Sequence, residues 1–201
     1  MIDRDADRPL VEEAAAGSRE AFDELVCRHQ AEMYTLARVL TSGDDESEDL
    51  VQETFVRAYR AIARFRGDST FATWLHRIAL NVIKSYLARR GRRPAKASLG
   101  DGSDGAAAGN SADLDSLPSN EDLESAVTTR QAIDRALACL SDELRELVVL
   151  RDIQGLEYRE IATITGLPIG TVESRVFRAR QRLRPLLEPL REPAFRKVGF
   201  Q

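Results

Sequence analysis

An all-α chain of two small helical domains joined by a flexible acidic linker is the fold class that three observations in these 201 residues predict. Between residues 22 and 87 apolar side chains recur at helical spacing in three separate runs, and nothing in that half alternates as a strand does. Residues 97–127 hold seven acids and no Lys or Arg, set among Gly, Ser and Asn, a composition that cannot bury enough apolar surface to offset its ordering entropy. From Tyr158 to Arg184 two further helical patterns flank a tight turn, and the second is loaded with arginine. The expected organisation is a domain at 1–95, a linker at 96–122, a second domain at 123–187 and a tail at 188–201.

The first predicted helix carries Phe22, Leu25, Val26, Met33, Leu36, Ala37 and Leu40 on one stripe and ends at TSGDD. The second starts there, with Asp44 and Asp45 where an N-cap and the helix dipole favour negative charge. Its buried face is Leu50, Phe55, Ala58, Ile62 and Phe65, and Gly67, Asp68 and Ser69 are expected to close it. Phe71, Trp74, Leu75, Ile78, Ala79, Val82, Ile83, Tyr86 and Leu87 form the clearest stripe of the chain, on a long third helix ending in ARRGRR. In the second half Ile161, Ala162 and Ile164 mark a short helix, Gly166 and Pro168 break it, and Val172, Val176, Ala179 and Leu183 mark the buried face of the next. Pro185, Pro189 and Pro193 argue against a regular helix beyond that point.

Charge is distributed unevenly. Residues 1–96 carry 16 basic and 16 acidic side chains and residues 128–201 carry 13 and 10, so the net charge of −4 originates in the linker. Arg175, Arg178, Arg180, Arg182 and Arg184 crowd eleven residues that contain no acid, which points to nucleic acid despite the acidic total. The helix-turn-helix pattern predicts polar side chains at base edges near the amino end of the second helix, with later arginines on phosphate. On the third helix Asn81, Lys84 and Ser85 lie off the apolar stripe and Arg89, Arg90, Arg92 and Arg93 follow, a second set suited to a nucleic-acid backbone. Asp49, Gln52 and Glu53 share a polar face that is either a solvated surface or a partner interface.

Other classes are disfavoured. Cys27 and Cys139 lie far from CxxC spacing, and His29 two residues after Cys27 lacks the ligand count zinc needs, so neither a metal nor another cofactor is expected. Two histidines in unrelated contexts, His29 and His76, and no glycine-rich phosphate loop argue against an enzyme. No run reaches the length of a membrane span, and MIDRDADRPL is too charged for a signal peptide, so a cytoplasmic protein without membrane insertion is expected. A stand-alone helix-turn-helix regulator is the alternative, but it would place an α/β phosphoacceptor domain where this chain reads helical.

The string EDLVQETFVRAYRAIARFRGDSTFATWLHRIALNVIKSYLARRGRR, Glu48 to Arg93, resembles region 2 of bacterial sigma factors of the extracytoplasmic function group. LSDELRELVVLRDIQGLEYREIATITGLPIGTVESRVFRARQRLR, Leu140 to Arg184, resembles region 4 of the same group. The resemblance implies a transcription initiation factor that binds core RNA polymerase and promoter DNA and is held by an anti-sigma factor. It implies that Asp49, Leu50, Gln52, Glu53 and Phe55, in DLVQETF, dock on the clamp helices of the polymerase largest subunit. It further implies that Arg66, Gly67, Asp68, Ser69, Thr70 and Phe71 capture a base flipped out of the minus-10 strand, with Asn81 contacting the melted strand. Trp74, on the apolar stripe, is expected to be core. In region 4 the positions matched to the minus-35 duplex are Thr171, Glu173, Ser174, Arg175, Phe177 and Arg178, with Arg182 beyond them. Arg178 is suited to guanine and Phe177 to a thymine methyl or to core packing. Some relatives carry a basic residue where Glu173 stands, which alters the sequence read. The acidic linker is either a plain spacer or an electrostatic mimic of RNA.

Overall fold

The computed structural model of the protein describes residues 6–43, 46–92 and 120–190, and every regular element within them is helical. Helix α1, Arg8–Ala15, has no counterpart among the stripes expected from the sequence. It begins with Pro9 in its first turn, where the missing N–H costs nothing, and buries only Val11 and Ala14. Gly17, at φ +108°, then turns the chain into α2, Arg19–Leu40. Ser18 caps α2 by accepting a hydrogen bond from Ala21 N at 3.2 Å. Phe22, Leu25, Met33, Leu36 and Leu40 line its buried face, and His29 occupies the same stripe.

Helix α3 spans Ser47–Ala61, and the capping positions expected at Asp44 and Asp45 lie outside the described residues. Its end differs from expectation. The α-helix stops at Ala61, well before Gly67, and tightens into a 3₁₀ turn over Ile62–Arg64. Phe65 N donates to Ile62 O at 2.9 Å, and the three-residue period keeps Ile62 and Phe65 on one side, so the apolar stripe runs on through the break. The segment from Phe65 to Thr70 is therefore a loop, with Gly67 at φ +75°. Thr70 opens α4, Phe71–Arg92, by accepting from Thr73 N at 3.2 Å.

Helix α5, Asn120–Ala138, leads to α6, Asp142–Val148, which widens into a π-type turn over Val149–Ile153 closed by Gln154 N donating to Val149 O at 3.0 Å. Helix α7, Tyr158–Thr165, carries a capping box between Glu157 and Glu160 and ends at Gly166, φ +72°, a left-handed position suited to glycine. Helix α8 then runs Ile169–Leu187. The expected stop before Pro185 is corrected: Pro185 sits inside the last turn of α8, where its lack of an N–H removes a single backbone bond, and Pro189 falls in the following 3₁₀ turn, Glu188–Leu190. Residues 191–201 of the tail, Pro193 among them, and residues 96–119 of the linker lie outside the described residues, while 120–122, expected as the end of the linker, form the start of α5.

Leu25, Leu36 and Leu75 anchor the buried core of the first half, and Leu147, Leu150, Ile161 and Val176 that of the second. The halves meet where α4 packs on α7, and where α2 packs on α6 and the π turn. Polar bonds cross this seam. Thr73 Oγ1 donates to Glu160 at 3.1 Å, Gln154 Nε2 to Glu32 O at 3.3 Å, and Arg38 pairs with Asp134 at 3.3 Å.

Candidate nucleic-acid interface

The DLVQETF segment forms most of the first two turns of α3, and its helical period divides it. Asp49 and Gln52 are exposed, while Glu53 is half-buried and accepts from Arg57 Nε at 2.7 Å. Leu50 and Phe55 are buried and belong to the core, so of these five residues the polar trio is what reaches the surface. The two apolar residues fix which way that trio faces.

Arg66, Gly67 and Asp68 are exposed in the loop before α4, Ser69 and Thr70 are half-buried, and Phe71 is buried. Phe65 and Phe71 both pack on Trp74, with ring centroids 5.2 and 5.8 Å apart, so Trp74 is half-buried backing for the loop. A cavity of about 430 Å³ opens between this loop and α1. Its far wall, Asp7, Arg8, Val11 and Glu12, was missed by the sequence reading.

Along α4, Asn81, Lys84, Arg89 and Arg90 are exposed and off the buried stripe, as their spacing requires. Lys84 Nζ lies 2.8 Å from Glu146 of α6. Arg90 donates to the Tyr86 hydroxyl at 3.3 Å. The side chain of Arg92, and Arg93 altogether, lie outside the described residues.

Val172, Val176, Ala179 and Leu183 bury one face of α8 and turn the opposite face outward. Glu173, Ser174, Arg178 and Arg182 are exposed there, and Thr171 is half-buried with its carbonyl accepting from Ser174 Oγ at 3.0 Å. Phe177 is 62% exposed and contributes nothing to the core, a large apolar surface on a basic face. Arg175 pairs with Glu143 at 3.0 Å. Arg180 is held in a two-pronged bond by Asp152, which raises its pKa further. It therefore secures the π turn to α8 and is withdrawn from the arginine crowd.

His29 departs from the sequence expectation in a different way. Its Nε2 donates to Asp7 Oδ2 at 2.7 Å, both groups are buried, and Arg28 reaches the other oxygen of the same carboxylate at 3.3 Å. Burial opposes its protonation, but Glu32 and Asp7 outweigh that effect and hold the pKa above the ordinary histidine value. His76, buried on α4 with Nδ1 donating to Ala72 O at 2.8 Å, is held below that value chiefly by burial. Cys27 and Cys139 are free and exposed, and among the described residues no cluster of three or more His, Cys, Asp or Glu could hold a metal. No helix there is long and apolar enough to cross a membrane.

Two family models match the chain, Sigma-70 region 2 over residues 25–93 and Sigma-70 region 4 over residues 130–183. The ECF RNA polymerase sigma-E factor of Salmonella typhimurium is 40% identical over 191 residues, 94% of this chain and 98% of that protein. Two solved structures, each 31% identical, share the fold. CnrH, in complex with the cytosolic domain of CnrY, covers 92% of this chain and 98% of its own at a TM-score of 0.67. The sigma factor RpoE of Bartonella quintana, in complex with the anti-sigma factor NepR, covers 83% and 96% at a TM-score of 0.63.

Proposed function

Since the chain belongs to the extracytoplasmic function group of sigma-70 factors, we propose that it directs core RNA polymerase to promoters by reading the minus-35 duplex with α8 and the melted minus-10 strand with α4 and the loop before it. One observation carries this reading. The burial of Val172, Val176, Ala179 and Leu183 leaves Glu173, Ser174, Phe177 and Arg178 as the outer face of a helix entered through a left-handed glycine turn, the geometry of a recognition helix.

Arg178 presents the fork suited to guanine O6 and N7, and Phe177 an apolar face suited to a thymine methyl. Glu173 repels phosphate and accepts from a cytosine amine, so it contributes selectivity at the expense of affinity. Asn81 offers an amide to an unstacked base, and Lys84, Arg89, Arg90, Arg92 and Arg93 neutralise backbone. Asp49, Gln52 and Glu53 form the polymerase-docking surface, with Leu50 and Phe55 beneath them. The factor works in the cytoplasm, catalyses no reaction of its own, and is restrained by an anti-sigma factor, as RpoE is bound by NepR. Its two modules are 1–95 and 123–187, and the tether at 96–122 raises the effective concentration of each for its own promoter element.

The test is run-off transcription with purified core polymerase on a genomic promoter library, with and without the protein, sequencing the start sites. Discrete new starts sharing two upstream motifs are expected. Absence of new starts with folded protein, together with tight duplex binding in the absence of polymerase, overturns the reading in favour of a stand-alone regulator.

A further inference from the structure

The 430 Å³ cavity beside the loop before α4 falls within the usual range of small-ligand clefts, roughly 300 to 1,000 Å³, yet the loop supplies only one of its sides. Phe65 and Phe71 give that side an aromatic floor, backed by Trp74. The opposite side is α1. Val11 faces the cavity as apolar wall, and Arg8 and Glu12 stand at its rim, one turn apart, with Arg8 Nε donating to Glu12 Oε1 at 3.2 Å. A strong donor and a strong acceptor thus sit side by side at the mouth of a cleft with an aromatic floor. An amino-bearing nucleobase offers the complementary pair along its edge, a ring or carbonyl acceptor next to an exocyclic amine.

The position of this wall is fixed. Asp7, at the start of α1, is buried between Arg28 and His29 of α2, so the first turn of α1 is tied to the next helix by side chains as well as by the packing of Val11 and Ala14. Among the described residues the Arg8 and Glu12 side chains pair with each other alone, and they are 78% and 69% exposed.

We propose that α1 completes the base-capture pocket, with Glu12 accepting from the exocyclic amine of the flipped base and Arg8 donating to its neighbouring acceptor. The pocket then selects adenine, cytosine or guanine over thymine, which has no exocyclic amine and sets a carbonyl against the Glu12 carboxylate. This inference rests on the reading that the loop at 66–71 captures a base of the minus-10 strand.

The experiment uses holoenzyme assembled from core polymerase and the full chain, bound to pre-melted promoter fragments carrying A, C, G, T or an abasic site at each minus-10 position of the non-template strand. For the native chain, one position is expected at which base removal weakens binding and thymine binds about tenfold less well than the best amino-bearing base. Glu12→Gln, whose amide can also donate to a carbonyl, collapses the discrimination against thymine at that position and leaves the other positions as they were. Arg8→Ala lowers affinity for the amino-bearing bases there. Unchanged discrimination in both variants at a position where base removal matters overturns the role of α1 and leaves base capture standing. If base removal matters at no position, the capture reading falls and this inference with it. Both substituted side chains are exposed, so the variants keep the fold, which thermal unfolding verifies.

Discussion

Lys84 of α4 and Glu146 of α6 lie 2.8 Å apart, so a cation of the surface assigned to the melted strand is held by a carboxylate from the other half of the molecule. One turn away on the same helix, Glu143 holds Arg175 of the recognition helix at 3.0 Å. A single acidic helix thereby occupies one cation from each of the two surfaces proposed to bind nucleic acid, in competition with the phosphate they are proposed to meet.

Glu146→Ala is expected to tighten binding of a minus-10 single strand by the free chain. A partly exposed pair of this kind is worth about 0.2–1 kcal/mol, so the gain is severalfold at most and shrinks with added salt. Fluorescence anisotropy at low and high ionic strength measures it, and equal affinity of both proteins at low salt would sink the idea.

Arg178→Ala is expected to cost about 1–3 kcal/mol and to relax selectivity at one base pair of the minus-35 element. Competition among duplexes substituted at each position resolves the effect. An equal loss on every sequence would reassign Arg178 to phosphate.

Replacing Asp49 and Gln52 together by alanine is expected to weaken binding to core polymerase while leaving the fold intact, because both are exposed and the buried Leu50 and Phe55 still set the helix in place. Co-purification with core enzyme, with thermal unfolding as control, tests this. Undiminished polymerase affinity would remove these residues from the docking surface.

Asp7→Asn is expected to destabilise the fold in a pH-dependent way. The pKa of His29 is raised in the folded state, so stability from its pairing is fully present below the unfolded value of about 6.5 and is lost as pH rises through the higher folded value. The gap between native and variant should be widest in mild acid and narrow as the solution becomes alkaline, leaving a constant part from Arg28. His76 shifts the opposite way and is common to both proteins, so it cancels in the difference. Denaturant unfolding across this range decides the matter, and a gap that widened with pH would contradict the assignment.

Helices α2 and α4 were legible in the sequence because seven or more apolar positions repeat at one period, as from Phe71 to Leu87, and no strand pattern competes, whereas the 19-residue α5 was not read as a helix. Helix α1 was not, since Val11 and Ala14 are its only buried positions and two points define no period. The stop after Ala61 was hidden because Ile62 and Phe65 continue the stripe in a tighter turn. Pairings across the chain carry no local signal: nothing near Asp7 announces His29, although a histidine in the middle of the α2 stripe was itself a sign that a buried partner existed. Motif matching selected Leu50 and Phe55 with their polar neighbours, but a motif records which residues occur together and not which of them reach the surface. Phe177 was ambiguous for the converse reason, its identity suggesting core and its position, one residue past the buried Val176, suggesting surface.

The π turn at Val149–Ile153 accommodates one more residue than an α-helix would over the same rise. Each residue of an α-helix advances the chain by about 100° around its axis, so that one insertion sets the direction in which everything after it leaves. Gln154 is the first side chain beyond it, and its amide meets the Glu32 carbonyl in the other half. Deleting a single residue from the turn is expected to move Gln154 out of register with the Glu32 carbonyl and so to weaken one link across the seam, while those of Arg38 with Asp134 and Lys84 with Glu146, made ahead of the turn, remain.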